Sequence, residues 1–147
     1  MPPAIQRATE GDLPEVIALL AEHRLPLDGV VEHVSTMVLA RVDGRVIGVA
    51  AVELYADGAL LRSVAVASDA QSKGLGHRLT EAALDLARER GIGDVYLLTT
   101  TADAFFPRFG FERITRADVP DSVQTSAEFQ SACPASAVVM RKRISPS

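Results

Sequence analysis

The 147-residue sequence predicts a single α/β domain over residues 1–147, with a mixed, mostly antiparallel central sheet flanked by helices. Three observations carry that expectation. Asp43-Gly44, the dipeptide that a two-residue type I′ turn prefers, joins two β-rich runs at 36–42 and 45–55. A second tight connection at 56–59 leads into a third run, 60–67, which makes an antiparallel meander. A glycine-punctuated turn, Gln71-Ser72-Lys73-Gly74-Leu75-Gly76, and a long amphipathic helix then carry the chain to another strand at 94–100. A helical crossover of this kind makes 60–67 and 94–100 parallel neighbours with a right-handed connection.

The remaining elements follow in order. Residues 4–9 read as a short strand. Asp12-Leu13-Pro14-Glu15 offers an N-cap aspartate, an early proline and a glutamate at the capping-box position, so a helix should run to about His23. Val16, Ile17, Leu19 and Leu20 form its apolar stripe. Leu25-Pro26-Leu27-Asp28-Gly29 breaks it, and residues 28–33 add a short helical turn. The helix after the glycine turn places Leu75, Leu79, Ala82, Ala83 and Leu86 on one face, with Arg88 and Arg90 near its C-terminal dipole and Gly91 as the stop. Residues 102–108 read as a short phenylalanine-rich helix ended by Gly110, 111–115 as a strand, and 136–141 as the last strand. No internal repeat or linker divides the chain.

Composition narrows the function classes. A formal charge of -4 argues against a nucleic-acid partner, because phosphate backbones are bound through clustered Lys and Arg. The basic spots at 88–90, 113–116 and 141–143 read as solvated helix ends and strand edges. Cys133 is the only cysteine, so an internal disulfide is impossible and a cysteine zinc cluster is excluded. His23, His33 and His77 are scattered, and no metal site is expected. The N-terminus lacks the pattern of a secretion signal, and no run approaches the roughly 18 apolar residues of a membrane span, so a cytoplasmic protein is expected.

The turn at 71–76 is the chemically informative segment. Gly74 and Gly76 allow close backbone approach to a ligand, and the first turn of the following helix leaves its N–H groups without intrahelical partners. Those donors, the positive end of the helix dipole and Lys73 at the lip suit a phosphate or pyrophosphate. The spacing is neither G-x-G-x-x-G nor G-x-x-x-x-G-K-[ST], so neither a Rossmann fingerprint nor a P-loop is present.

Strand, Q/R-x-x-G-x-G/A turn, helix, strand and an aromatic helix ending in glycine, here Phe105-Phe106-Pro107-Arg108-Phe109-Gly110-Phe111, resembles the GNAT acetyltransferase superfamily from end to end. The C-terminal half is similar to the acetyltransferase domain of N-acetylglutamate synthases and to the small arsenic-resistance acetyltransferases linked to arsinothricin-type amino acids. Leu97-Leu98-Thr99-Thr100, the Phe106 to Phe111 segment and Ser136-Ala137-Val138-Val139-Met140 carry both likenesses; Ser126-x-Glu128-Phe129 and Cys133-Pro134-Ala135-Ser136-Ala137 carry the second. The resemblance implies acetyl-CoA as cosubstrate, a GNAT fold in which 60–67 and 94–100 splay apart, and a small acidic amino acid or amino-acid antibiotic as acceptor, such as glutamate, arsinothricin or phosphinothricin. Acetylation of a protein or peptide amine, and a noncatalytic acyl-CoA sensor, are the alternatives. A homodimer follows by family analogy alone.

The same resemblance implies the site residues. Pantetheine would pair with Val64, Ala65 and Val66 as a missing strand would, because a splayed strand edge has N–H and C=O groups to satisfy. The pyrophosphate would lie on the turn from Gln71 through Ser72, Lys73, Gly74, Leu75 and Gly76 to His77. Phe105 and Phe106 would flank the thiol end, although aromatic residues on a short helix also serve as plain core. A backbone N–H at Val64 would stabilise the oxyanion as an amine attacks the thioester directly. Two positions depart from the family pattern: the usual Glu base is Leu60 and the usual Tyr acid is Phe106. An α-amino group with a pKa of about 8 is partly neutral near pH 7, so ordered water can serve. Glu53 is a conceivable relay, but an exposed hairpin glutamate is the simpler expectation. For the acceptor, Arg62, Ser63, Thr99, Thr100 and the Cys133 region are the candidates, with Arg108 and Arg113 behind them, since Arg suits a bidentate carboxylate contact. Cys133 has no His partner and is not expected to act as a nucleophile.

Overall fold

A computed structural model of the chain describes residues 3–71, 73–100, 102–132 and 137–144. Its centre is a seven-stranded sheet with the order β1-β2-β3-β4-β5-β7-β6. The strands are β1 (Ile5–Arg7), β2 (Met37–Val42), β3 (Arg45–Tyr55), β4 (Gly58–Val66), β5 (Asp94–Thr99), β6 (Glu112–Ile114) and β7 (Val138–Arg143). The helices are α1 (Leu13–Glu22), α2 (Leu75–Glu89) and the single turn α3 (Asp121–Gln124).

The meander forms as the turn chemistry requires. Asp43 and Gly44 take φ of 51° and 77°, the pair of positive values that defines a type I′ hairpin. β2, β3 and β4 pair antiparallel in succession, and β4 meets β5 in parallel. Gly91, at φ 76°, follows the end of α2. Together these give the mixed sheet that the sequence predicts.

Some local expectations are corrected. Asp12 does not cap α1, because its own backbone is already helical. It instead closes a 3₁₀ turn, Glu10–Asp12, by accepting the backbone N–H of Thr9 at 2.8 Å. Arg41 also binds this carboxylate, and the two interactions hold its pKa below the usual aspartate value, the Thr9 bond being the larger cause. The short helical turn expected at 28–33 falls later, as a 3₁₀ segment Val31–Thr36. The phenylalanine-rich helix contracts to 3₁₀ geometry over Phe106–Phe109, with Pro107 in its first turn and Gly110 in the left-handed conformation.

The sheet is buried on both sides. Along β3 every residue from Val46 to Glu53 is buried, which is why this strand reads as a continuous apolar run rather than an alternation. Val95 and Leu97 of β5 and Met140 of β7 join the large core with Leu79, Ala83 and Leu84 of α2. The alternate residues Tyr96, Leu98 and Val139 join Leu60 in a second cluster under Val119 and Val123. Gly48 gives α2 room against the sheet: a Cβ there would lie 2.6 Å from Leu79 Cδ1, so the buried leucine would have to shift. No helix among the described residues is long and apolar enough to cross a membrane.

Candidate active site

The site begins as an irregularity in β4. Val49 of β3 faces Ala65, but Ala51 faces Arg62, so two residues of β4, Ser63 and Val64, stand against Ala50 alone. This is a β-bulge, and Ser63 absorbs it at φ 60°, a left-handed value rarely taken by a non-glycine residue. A bulge bends its strand. Accordingly β4 pairs with β5 only at Ala59↔Val95 and Leu60↔Tyr96 and then leaves it.

The divergence opens a cavity of about 770 Å³. One wall is the freed stretch of β4, from Leu61 through the bulge to Val66. The opposite wall is Leu97, Leu98, Thr99 and Thr100 at the end of β5, continued by Phe105 and Phe106. Gln71, Gly74, Gly76 and His77 close one end. Arg24, Leu25, Pro26 and Glu128 also line it, although the sequence offered no reason to place the first three there.

The closing end presents the N-terminus of α2 to the cavity. Gly74, at φ 78° and ψ 5°, is the residue that turns the chain into α2, and it supplies no side chain to cap the helix. The first intrahelical bond runs from the Arg78 N–H to the Gly74 carbonyl at 3.1 Å, so the N–H groups of Leu75, Gly76 and His77 stand ahead of the ladder. Gln71 ties this turn to the sheet, its side-chain amide donating to the Val66 carbonyl at 2.9 Å. His77 is exposed and stacks on Phe109 at 4.7 Å. Phe105 packs edge-on against Phe106 and Phe109, at 5.1 and 5.2 Å.

Most residues singled out in the sequence therefore converge, and a few do not. Lys73 is exposed and does not line the cavity. Leu75 turns its side chain into the core beside Gly48, leaving only its backbone near the cradle. Ser72 and Cys133 lie outside the described residues. Phe106 both lines the cavity and packs edge-on with Phe111, so core and wall are the same ring. Leu60 is fully buried in the second apolar cluster. Thr99 accepts the Ala102 N–H at 2.9 Å, which shapes the loop after β5.

The largest revision concerns Glu53 and Arg62. Glu53 is not an exposed hairpin residue; its side chain is 1% accessible, as is that of Arg62, and the two meet at 2.7 Å. They are diagonal neighbours on one face of the β3–β4 pair, since Glu53 faces Leu60 and Ala51 faces Arg62. Arg62 spends the rest of its fork on the carbonyls of Asp28 (2.5 Å) and Pro26 (2.9 Å), on Ser63 Oγ (3.1 Å) and on Glu128 Oε2 (3.3 Å). It lines the cavity, but each of its three nitrogens already donates within the protein. Tyr55 donates to Glu53, and burial followed by that bond raises its pKa well above the ordinary tyrosine value. It remains a protonated donor across the physiological range. Among the described residues no group of three or more His, Cys, Asp or Glu side chains is placed to hold a metal ion.

A bulged β4 that parts from β5, with a glycine cradle at a helix N-terminus beside the gap, defines an acetyltransferase of the GNAT class. Residues 33–113 match the acetyltransferase (GNAT) domain family, and the chain belongs to that family. It is 33% identical over 121 residues to an uncharacterized N-acetyltransferase of Chlorobaculum tepidum, covering 82% of this chain and 75% of that protein. It is also 30% identical over 128 residues to the amino-acid acetyltransferase of Neisseria meningitidis, covering 81% of this chain but only 29% of that longer protein. Among solved structures, N-acetylglutamate synthase from Neisseria gonorrhoeae, complexed with coenzyme A and N-acetyl-glutamate, superposes with a TM-score of 0.83 at 26% identity, over 97% of this chain and 35% of that one. Rv2747 from Mycobacterium tuberculosis, in complex with CoA, does so at 0.82 and 25% identity, over 97% and 99% of the two chains.

Proposed function

We propose that this chain is a single-domain enzyme that transfers the acetyl group of acetyl-CoA to the amine of a small acidic amino acid or amino-acid antibiotic, with glutamate, arsinothricin and phosphinothricin as candidates. The observation that carries the reading is the cavity itself. It joins an unpaired strand edge and a helix N-terminus at one end to two exposed guanidiniums, Arg24 and Arg108, on its walls. Among the described residues neither has an ion-pair partner. The likeness to amino-acid acetyltransferases supports the same acceptor class.

Each group in the cavity has a task in this reading. Val64, Ala65 and Val66 offer backbone donors and acceptors to the pantetheine amides, and the N–H groups ahead of the α2 ladder offer theirs to the pyrophosphate. A Val64 N–H meets the charge that develops on the thioester oxygen. Thr99 and Thr100 border the acceptor. Arg24 joins Arg108 as a carboxylate partner in place of Arg62, each of whose nitrogens already donates within the protein. Leu60 and Phe106 cannot carry protons, so the amine proton leaves by water or through a residue other than the usual two. The protein acts in the cytoplasm and pairs as a homodimer.

Incubation with acetyl-CoA and a panel of amino acids, arsinothricin and phosphinothricin included, while free thiol is recorded, tests the reading. Release of thiol with an acidic amino acid is the expected result. Turnover with peptide amines alone would move the protein to the peptide class, and CoA binding without any turnover would make it a sensor. Gly76→Ala gives a second measurement: the added methyl would meet Val66 Cγ2 at 3.6 Å and Phe105 Cζ at 3.7 Å, both ordinary contacts. The variant should keep its fold and bind CoA within about twofold of the unaltered protein in calorimetry, because alanine is the alternative the turn pattern admits here and its methyl makes only ordinary contacts; a tenfold loss would count against this placement of the turn.

A further inference from the structure

We propose that Ser63 carries the proton of the reaction, its hydroxyl taking a proton from the attacking nitrogen as it gives its own to the departing CoA thiolate; this rests on the amine-acetylating reading above. A neutral amine and a thioester yield an amide and a thiol, so one proton has to cross from nitrogen to sulfur. Leu60 and Phe106 can perform neither half of that transfer.

Ser63 is an unusual residue for its place in the chain. It is buried, 7% accessible, and takes φ 60° at the β4 bulge, a conformation that glycine adopts without strain and serine does not. Its Oγ accepts the Arg62 Nε–H at 3.1 Å, and no acceptor for its own hydrogen is found among the described residues. The guanidinium does not by itself call for a hydroxyl there, because the same Nε meets Glu128 Oε2 at 3.3 Å. Ser63 lines the cavity and directly precedes Val64, whose N–H meets the developing oxyanion in the reading above.

The hydroxyl has the valence that a shuttle needs. A serine oxygen offers one hydrogen and two lone pairs. Arg62 occupies one lone pair, which leaves the other to accept the N–H of the tetrahedral intermediate and the hydrogen to go to sulfur. Nitrogen and sulfur are bonded to the same carbon in that intermediate, so one oxygen beside it reaches both. The C–S bond breaks with its electron pair staying on sulfur, the Ser63 hydrogen passes to that thiolate, and the proton from nitrogen restores the hydroxyl. Serine ends unchanged. The positive charge beside Oγ favours the exchange, since it stabilises the oxygen as its hydrogen moves to sulfur. Two other proton-bearing groups on the wall are engaged elsewhere: His77 stacks on Phe109 at the α2 end, and Thr99 accepts the Ala102 N–H.

The test compares Ser63→Ala and Ser63→Gly with the wild type in single-turnover acetylation of L-glutamate, beside CoA calorimetry and thermal melts. For Ser63→Ala we expect the single-turnover rate to fall by about a hundredfold, the lower end of what a positioned proton carrier contributes, with CoA affinity within about twofold. Glycine relieves the backbone at φ 60°, so Ser63→Gly should melt at or above the wild-type temperature and still lose at least about tenfold in rate, since a water that enters in place of the hydroxyl is less well positioned. A residue that merely builds the bulge predicts the opposite, a relaxed glycine variant at wild-type rate, and that result overturns the proposal. An unchanged rate in Ser63→Ala overturns it as well, and so does a fall in rate matched by an equal loss of CoA affinity, which would mean that the bulge itself had moved. Should glutamate give no turnover, phosphinothricin takes its place. A wild-type protein that binds CoA and acetylates no amine at all overturns both readings; one that acetylates an amine with Ser63→Ala unaffected overturns this inference alone.

Discussion

Arg62→Met should lower the unfolding free energy by about 3–5 kcal/mol, the cost of removing one partner from a buried ion pair and leaving the other charge unpaired. Two carboxylates, Glu53 and Glu128, lose their shared cation at once, and the carbonyls of Pro26 and Asp28 lose their donors. The methionine stem fills much of the same space, so the loss is electrostatic rather than a cavity. Urea unfolding followed by circular dichroism would report it as a drop in the midpoint. Adding Glu53→Gln should recover part of the loss, because one of the stranded charges goes with it, and a double-mutant cycle would give the coupling. A midpoint that barely moves in Arg62→Met would show that the network contributes no stability. Arg62→Lys should fall between, since an ammonium cannot reproduce the fork that reaches two carbonyls and two carboxylates together.

Gly74→Val should weaken CoA binding by about tenfold or more while leaving the fold intact. The residue sits at φ 78°, and a Cβ there would meet nothing within 4 Å, so the penalty is backbone strain and not collision. A left-handed conformation costs an ordinary L-residue roughly 1–2 kcal/mol, and a β-branched side chain is the worst case. The turn relieves that strain by shifting, which moves the N–H groups ahead of α2 out of register with a pyrophosphate. About 1.4 kcal/mol is a factor of ten in affinity. Isothermal calorimetry with CoA measures the loss, and an unchanged dissociation constant would remove the cradle from the account of binding. A control melt should show α2 still formed, because its apolar face from Leu75 to Ala87 is untouched.

The fold was legible wherever the signal was local. Asp43-Gly44 needed only two positive φ values, and the Gly74 turn needed only the conformational freedom of one residue and a helix after it. Asp12 was misread because an aspartate ahead of a helix can cap either the helix or the turn before it, and Thr9 three residues upstream decided for the turn. Glu53 was misread because a hairpin glutamate is ordinarily exposed. The signal against that was present: Glu53 interrupts a run that is apolar at every position from Val46 to Val52, and such a run belongs to a strand buried on both faces.

What the site required beyond this was long-range. Arg62 looked available for a substrate carboxylate, and nothing near it in the chain announced that Pro26, Asp28, Glu53 and Glu128 would share it. Arg24 entered the cavity wall only because the segment after α1 folds back over β4. Those placements depend on sheet order and on the bulge at Ser63 and Val64, which is a two-against-one mismatch between strands rather than a property of either strand.

Turn geometry, strand periodicity and the helix N-terminus are set by neighbours within a few residues, so the sequence by itself determined the sheet, the glycine cradle and the acetyltransferase class. Buried charge is set by partners that are distant in the chain, because a carboxylate or guanidinium enters a low-dielectric interior only where folding brings its counterpart. For that reason only the tertiary structure decided that Glu53 and Arg62 are interior groups and that Arg24 and Glu128 line the cavity.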